Sequence, residues 1–300
     1  MKKWIKRSLI GLAVMLLTLA AIVTGGVLYG NAKMQREVDI KPYALAFRDD
    51  AQSVARGRYL YESRACTDCH ALNGAGRSII DDGSMHVAGS NISPGPGSVV
   101  ASYRPEDWER AIRHGVKPNG HPLLIMPSED YNRLTDDDLA SLVAYLRHMP
   151  PVAGKGAILE LPVPVRALYG FGVMKDAAER IDHSLAPQQP VPEGVSVAHG
   201  DYVANMCKGC HGAPLSGGKI PGTPPDWPAA ANLTPGEGSA MTHYASAEQF
   251  MVMLRSGKRP DGSVISKVMP FESLAKLSET DVRALYLFLQ GVPARAAGGR

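Results

Sequence analysis

Two short cysteine motifs are the residues of this chain best suited to chemistry. Cys66–His70 reads CTDCH, and Cys207–His211 reads CKGCH. In a C-x-x-C-H motif the two thiols add to porphyrin vinyl groups, and the adjacent imidazole ligates the iron. The chain is therefore predicted to bind two covalent haem c groups, with thioether bonds and proximal iron ligands from Cys66, Cys69, His70, Cys207, Cys210 and His211.

A structural zinc site is the alternative interpretation of paired cysteines. Zinc ribbons usually place their two pairs within about 20 residues of each other. Here the second pair begins 141 residues after the first, and the two motifs use all four cysteines of the chain. A histidine also follows both pairs, which favours haem over zinc.

Two methionines are predicted to be the distal iron ligands. Met126 and Met269 are each followed by proline and lie 12 residues before the equivalent Asp138 and Asp281. A thioether ligand opposite histidine raises the reduction potential and suits an electron carrier. Met149 also precedes proline, but its counterpart is Val292, so a packing role is expected. One of the unrepeated histidines, such as His86 or His121, remains an alternative ligand.

The motifs belong to an internal repeat that predicts an all-α fold of two tandem domains. Gly57 and Gly200 precede the two motifs within helix-compatible runs, and a glycine at both positions suggests a close helix crossing. The last helix of each half has a capping-box-like start and a heptad-like apolar stripe. The expected domains are 48–150 and 196–294, with a frayed tail after 294. A proline-rich linker, 151–195, is expected to be largely extended and to lie against the domains.

The N-terminal segment predicts a membrane anchor. No charged side chain occurs between Arg7 and Lys33, and about 20 apolar residues suffice to span a bilayer. Residues 8–30 are therefore expected to be one transmembrane helix, with a cleaved signal peptide as the alternative. The basic residues before it predict a cytoplasmic N-terminus and haem domains on the outer face. They also account for the net charge of +3, so no nucleic-acid partner is expected.

The repeat resembles class I c-type cytochromes, and more narrowly the membrane-bound cytochrome c subunits of bacterial alcohol- and gluconate-type dehydrogenases. The resemblance covers roughly residues 53–150 and 197–293. It rests on four stretches, Asn232–Pro235, Phe250–Gly262, Met269–Phe271 and Leu277–Asp281. It implies cytochrome c domains with crossing terminal helices and an exposed haem edge. It also implies a bacterial inner-membrane protein with its haem domains in the periplasm. This chain has two haem motifs where those subunits commonly have three.

The expected function is that of a membrane-anchored, non-catalytic di-haem electron carrier. Its partners would be a dehydrogenase donor and a cytochrome or oxidase acceptor of the respiratory chain. One alternative is a di-haem redox enzyme of the peroxidase or thiosulfate dehydrogenase type, which would need an open, histidine or cysteine distal position. Another is the electron-entry subunit of a terminal oxidase, which has the same chemistry and a different partner.

Overall fold

The structure is a computed structural model that describes residues 2–221, 223 and 226–299. The expected second domain, 196–294, therefore includes Gly222, Pro224 and Pro225, which lie outside the described residues. The helices of the described chain are α1 (Lys2–Met34), α2 (Ala51–Ser63), α3 (Cys66–His70), α4 (Pro105–His114), α5 (Asp136–His148), α6 (Val163–Gly170), α7 (Ala177–Arg180), α8 (Val197–His211), α9 (Ala247–Ser256), α10 (Phe271–Leu274) and α11 (Glu279–Gly291). Short 3-10 helices span Ser128–Asp130 and Ala240–His243.

Two helix crossings organise the two halves of the chain. Helix α2 packs on α5, and α8 packs on α11. At Gly57 a Cβ atom would collide with the carbonyl oxygen of Ser141, and at Gly200 with that of Ala284. Only glycine allows the backbones to approach this closely, which explains its presence at both positions of the repeat.

Each crossing borders its own cluster of buried apolar side chains. The first cluster includes Leu60 from α2 and Leu139 from α5, both fully buried. The second includes Val203 from α8 and Leu285 from α11. The predicted apolar stripes of the last helices thus face the first helices of the same halves.

A small antiparallel sheet departs from the all-α prediction. Strands β1 (Ser78–Asp81), β2 (His86–Ala88) and β3 (Ile158–Glu160) form it in that order. The carboxylate of Asp82 accepts hydrogen bonds from the backbone N–H groups of Ser84 and Met85 and closes the β1–β2 turn. These strands are too short to show the alternation that sequence patterns require.

The proline-rich segment 151–195 is more structured than the extended chain that its prolines predict. It contributes β3 to the sheet and contains α6, which packs along α1, and the short α7. Pro162 and Pro164 lie at the start of α6, where proline is tolerated because the first N–H groups of a helix have no intrahelical acceptor.

The C-terminal tail is also held in place, contrary to the expectation that it frays. The side-chain amide of Asn232 donates to the carbonyl oxygen of Arg295 at 2.8 Å. The backbone N–H of Gly298 donates to the carbonyl oxygen of Ser216 at 2.9 Å. In the first half Asn91 makes the same bond to Val152 at 3.0 Å, so both asparagines tie down the chain that follows the last helix.

Gly57→Ala should lower the free energy of unfolding by about 1–3 kcal/mol, because overpacking outweighs the roughly 1 kcal/mol by which alanine favours a helix over glycine. Urea denaturation would measure this change. Gly291→Ala is the control, because a Cβ at this end of α11 meets no heavy atom within 4 Å. Equal midpoints for Gly57→Ala and the wild type would contradict the account of the crossing.

Candidate haem sites

The first cysteine motif forms the one-turn helix α3, which lies between two alanines with positive φ. Ala65 has φ 62° and Ala71 has φ 60°, and the hydroxyl of Tyr61 donates to the Ala71 carbonyl oxygen. The His70 Nδ1–H donates to the Ser90 carbonyl oxygen at 2.9 Å. This bond occupies Nδ1 and leaves Nε2 available to a metal, and burial lowers the pKa of His70, which favours the neutral imidazole that can ligate.

The second motif ends the longer helix α8, yet its histidine is held in the same way. His211 Nδ1 lies 2.8 Å from the carbonyl oxygen of Ala231. Ser90 and Ala231 each precede the asparagine that anchors the following loop, Asn91 or Asn232. The repeat therefore preserves the partner that orients each predicted iron ligand.

Met126 and Met269 lie in matching backbone turns. Each precedes a proline with φ near −80° and ψ of 62° at Pro127 or 67° at Pro270. The carbonyl oxygen of Met126 accepts from the Ser128 N–H at 2.9 Å, and that of Met269 accepts from the Phe271 N–H at 2.8 Å. These are inverse γ-turns, so the backbone follows the same course after both methionines.

Each methionine packs against the same apolar cluster as a cysteine of its own motif. Met126 and Cys66 both border the first cluster, and Met269 and Cys207 both border the second. Burial raises the pKa of the Cys66 and Cys207 thiols to about 12, as expected for sulfur against an apolar wall. Sulfur, imidazole and partly buried apolar side chains are a donor set and a lining that fit haem c.

Several other methionines and histidines of the described chain have contacts of their own within the protein. Met149 is 3% exposed within the first cluster and lies against Gly74, as a packing residue would. Met241, Met251 and Met253 are buried in the second cluster. Ring nitrogens hydrogen-bond within the protein in His114, His121, His148, His183 and His199.

Each haem motif contacts the segment that follows the predicted methionine ligand of the other half. The carboxylate of Asp130 accepts from the Gly209 N–H, in the second motif, at 2.8 Å. In the first motif, Asp68 accepts from the hydroxyl of Ser273 at 3.2 Å, and Thr67 lies 3.2 Å from the same hydroxyl. The two motifs therefore both face the contact between the halves.

Two tyrosines join the halves by entering the N-terminal caps of the last helices. The Tyr59 hydroxyl donates to Asp281 at 2.6 Å and accepts from the Ser278 N–H at 3.0 Å. The Tyr202 hydroxyl donates to Asp138 at 2.7 Å and accepts from the Thr135 N–H at 3.3 Å. In an ordinary capping box the carboxylate would bond that N–H directly. Here a tyrosine from the other half bridges the two groups.

A buried ion pair accompanies these bridges. Arg64 is 7% exposed and donates from Nη2 to Asp281 at 2.7 Å, while His199 Nε2 lies 2.8 Å from the other oxygen of Asp281. The charge of Arg64 also lowers the pKa of Cys66 and of Cys207, against the larger effect of burial. Arg64 therefore lies within electrostatic range of both haem-attachment motifs.

Sequence comparison finds similar proteins among the cytochromes c. Residues 52–146 match the family model described as "Cytochrome C oxidase, cbb3-type, subunit III". The fructose dehydrogenase cytochrome subunit of Gluconobacter japonicus is 29% identical over 275 residues, which is 83% of this chain and 54% of the relative. The chain is similar to cytochrome c subunits.

Two other relatives extend the similarity. The alcohol dehydrogenase (quinone) cytochrome c subunit of Gluconobacter oxydans (strain 621H) is 25% identical over 279 residues, which is 83% of this chain and 56% of the relative. A diheme cytochrome c-type protein of Cereibacter sphaeroides is 27% identical over 277 residues, which is 80% of this chain and 86% of the relative. The chain spans about half the length of the two dehydrogenase subunits. Together the matches support covalently bound haem c as the cofactor.

Acid should weaken the contact between the halves at Asp281. Burial raises the pKa of this carboxyl, but Arg64, Tyr59 and His199 outweigh burial and hold the pKa at about 2. The unfolded value is about 3.9, so ionised Asp281 stabilises the fold above about pH 4. The contribution, about 2–3 kcal/mol by linkage, is lost as the pH falls toward 2.

Urea denaturation between pH 2 and 6 would measure this loss. Asp281→Asn should flatten the fall in unfolding free energy between about pH 4 and pH 2 relative to the wild type. Asp201→Asn is the control, because this side chain on α8 is 47% exposed. Its unfolding free energy should fall with pH as steeply as that of the wild type. An unchanged slope in Asp281→Asn would contradict the role assigned to Arg64 and Tyr59.

Proposed function

We propose that this chain is a membrane-anchored di-haem electron carrier. It takes electrons from a periplasmic or membrane donor, most simply a dehydrogenase, and passes them to the respiratory chain. Residues 48–150 and 196–294 form one haem domain each, with 151–195 between them. The carrier assignment agrees with relatives that are named as cytochrome subunits of dehydrogenases.

The observation that carries the proposal is the matched setting of Met126 and Met269. Each lies in the same proline turn and borders the same apolar cluster as the cysteine of its own half. We assign His70 with Met126, and His211 with Met269, as the axial ligand pairs. Two thioether-ligated irons would leave no open coordination position, which argues for a carrier over a peroxidase-type or thiosulfate dehydrogenase-type enzyme.

Haem c, when bound, supplies a one-electron couple between ferrous and ferric iron. The residues of the chain would hold and orient that group. Cys66, Cys69, Cys207 and Cys210 would attach it, and the Ser90 and Ala231 carbonyl oxygens orient the two imidazoles. The Tyr59 and Tyr202 bridges hold the two cysteine motifs on the same contact surface. This arrangement suits electron transfer between the two haem sites.

The membrane and partner assignments rest on the N-terminal helix and on the relatives. Within the described residues, Lys3–Met34 is the helix long and apolar enough to cross a bilayer, with a mean hydropathy of 2.3 in its most apolar window. Basic residues precede it, so the positive-inside rule directs the haem domains to the periplasm of a bacterial inner membrane. Anchoring there would keep a carrier beside membrane-bound donors and acceptors.

An electron-entry subunit of a terminal oxidase is the second candidate. The match of residues 52–146 to a cbb3-type oxidase subunit model favours it. Extraction in mild detergent and identification of co-purifying subunits would distinguish the candidates. The primary proposal predicts a dehydrogenase catalytic subunit in the complex, whereas catalytic oxidase subunits alone would favour the second.

Met126→His should lower the reduction potential of one haem by roughly 0.1–0.3 V, because imidazole stabilises ferric iron relative to a thioether. Met269→His should do the same for the other haem. Spectroelectrochemical titration of the purified protein would measure both potentials. Met149→Leu is the control, because this buried side chain is assigned to packing. Wild-type potentials in Met126→His, with a shift in His86 or His121 variants, would overturn the assignment for the first half.

A further inference from the structure

The outer end of α1 is packed against α6 through small residues. Gly26 and Gly30 are buried on one face of α1, four residues apart. A Cβ at Gly30 would collide with the carbonyl oxygen of Arg166, and one at Gly170 with that of Gly26. This spacing of glycines allows helix backbones to touch, as in membrane helix pairs.

The order of these contacts gives the direction of α6. Arg166 lies beside Gly30, whereas Gly170 and Phe171 lie beside Gly26, so α6 runs antiparallel to α1. The chain turns back at Gly172, which has φ 74°. The turn, Phe171–Val173, therefore lies beside Gly26, in the apolar part of α1. Gly26 precedes Asn31 by five residues, which is about 7.5 Å along the helix axis at a rise of 1.5 Å per residue.

Side-chain chemistry changes along this hairpin in the way that a membrane boundary demands. Near the outer end, Lys33 pairs with Glu179 at 2.9 Å, and Arg36 makes two bonds to Asp176 at 2.7 and 2.8 Å. At the turn, Phe171 is 52% exposed and Val173 is 59% exposed. If α1 crosses a bilayer, the charged groups would lie at the headgroup level and the exposed apolar groups nearer to the acyl chains.

We propose that the Phe171–Val173 turn dips into the outer leaflet of the bilayer as a second membrane contact. The inference rests on the proposed anchoring of α1 and adds a partner surface to it. Its occupant is lipid, because the turn continues the exposed apolar surface of α1. An apolar element at this depth matches the 5–10 Å to which interfacial helices insert. Two contacts would fix the orientation of the haem domains toward the membrane, which a single helix would leave free to swivel.

The test uses the full-length haem protein in lipid nanodiscs, with bromine on the acyl chains near the headgroups. Val173→Trp should add fluorescence that falls by about half or more when brominated lipid replaces ordinary lipid, since the turn would contact the acyl chains. Val252→Trp is the matched control, because Val252 on α9 is 62% exposed. The wild-type signal, from Trp4, Trp108 and Trp227, is subtracted from both variants.

The outcomes separate this inference from the anchor itself. Strong quenching of Val173→Trp with little quenching of Val252→Trp supports the membrane-dipping turn. Incorporation into nanodiscs with an unquenched Val173→Trp, or with equal quenching of both variants, overturns it and leaves the anchor intact. Failure of the wild-type protein to incorporate overturns both the anchor and the turn.

Discussion

The contact between the halves depends on a tyrosine hydroxyl placed inside a helix cap. Tyr59 and Tyr202 each accept from the N–H of a cap residue and donate to the carboxylate three residues later, in the other half. A hydrogen bond to a charged group contributes about 1.5–3 kcal/mol. Removing one tyrosine would leave both a helix N–H and a buried carboxylate without that partner. The last helix of each half is therefore completed by the other half.

Because each half gives a tyrosine to the other, the hydrogen bonds of the contact are symmetric. The charged groups of the contact are not symmetric. Asp138 pairs with Arg56 of its own half, whereas Asp281 meets His199 of its own half and Arg64 of the other. A buried ion pair contributes little net stability, but leaving one charge unpaired costs several kcal/mol. Arg64 and Asp281 thus favour this arrangement of the halves over others. The haem motifs, which contact the same surface through Asp130 and Ser273, are held in register by it.

The sequence predicted the local backbone features more completely than the contact between the halves. Proline turns, helix caps and the glycines at the crossings are local patterns with a physical cause. The repeat could therefore show that Met126 and Met269 have matching positions and that Gly57 lies at a helix crossing, while the ligand role of the two methionines stays a prediction. The three short strands carried no readable periodicity. The structure within 151–195 was missed because proline signals extended chain, although Pro162 and Pro164 only begin a helix. Tyr59 and Tyr202 each lie two residues after the glycine of a helix crossing. No single-sequence pattern could show that their hydroxyls cross to the other half.

Hydrogen exchange followed by mass spectrometry at increasing urea concentration tests this account most directly, because peptides from α2 and α5 report one half and those from α8 and α11 the other. Exchange protection in the two halves of the wild-type haem protein should be lost together, as a single cooperative unit. In the double variant Tyr59→Phe, Tyr202→Phe, the two halves should lose protection at separate urea concentrations. Separate loss in the wild type, or coincident loss at an unchanged urea concentration in the double variant, would contradict the view that each half completes the other.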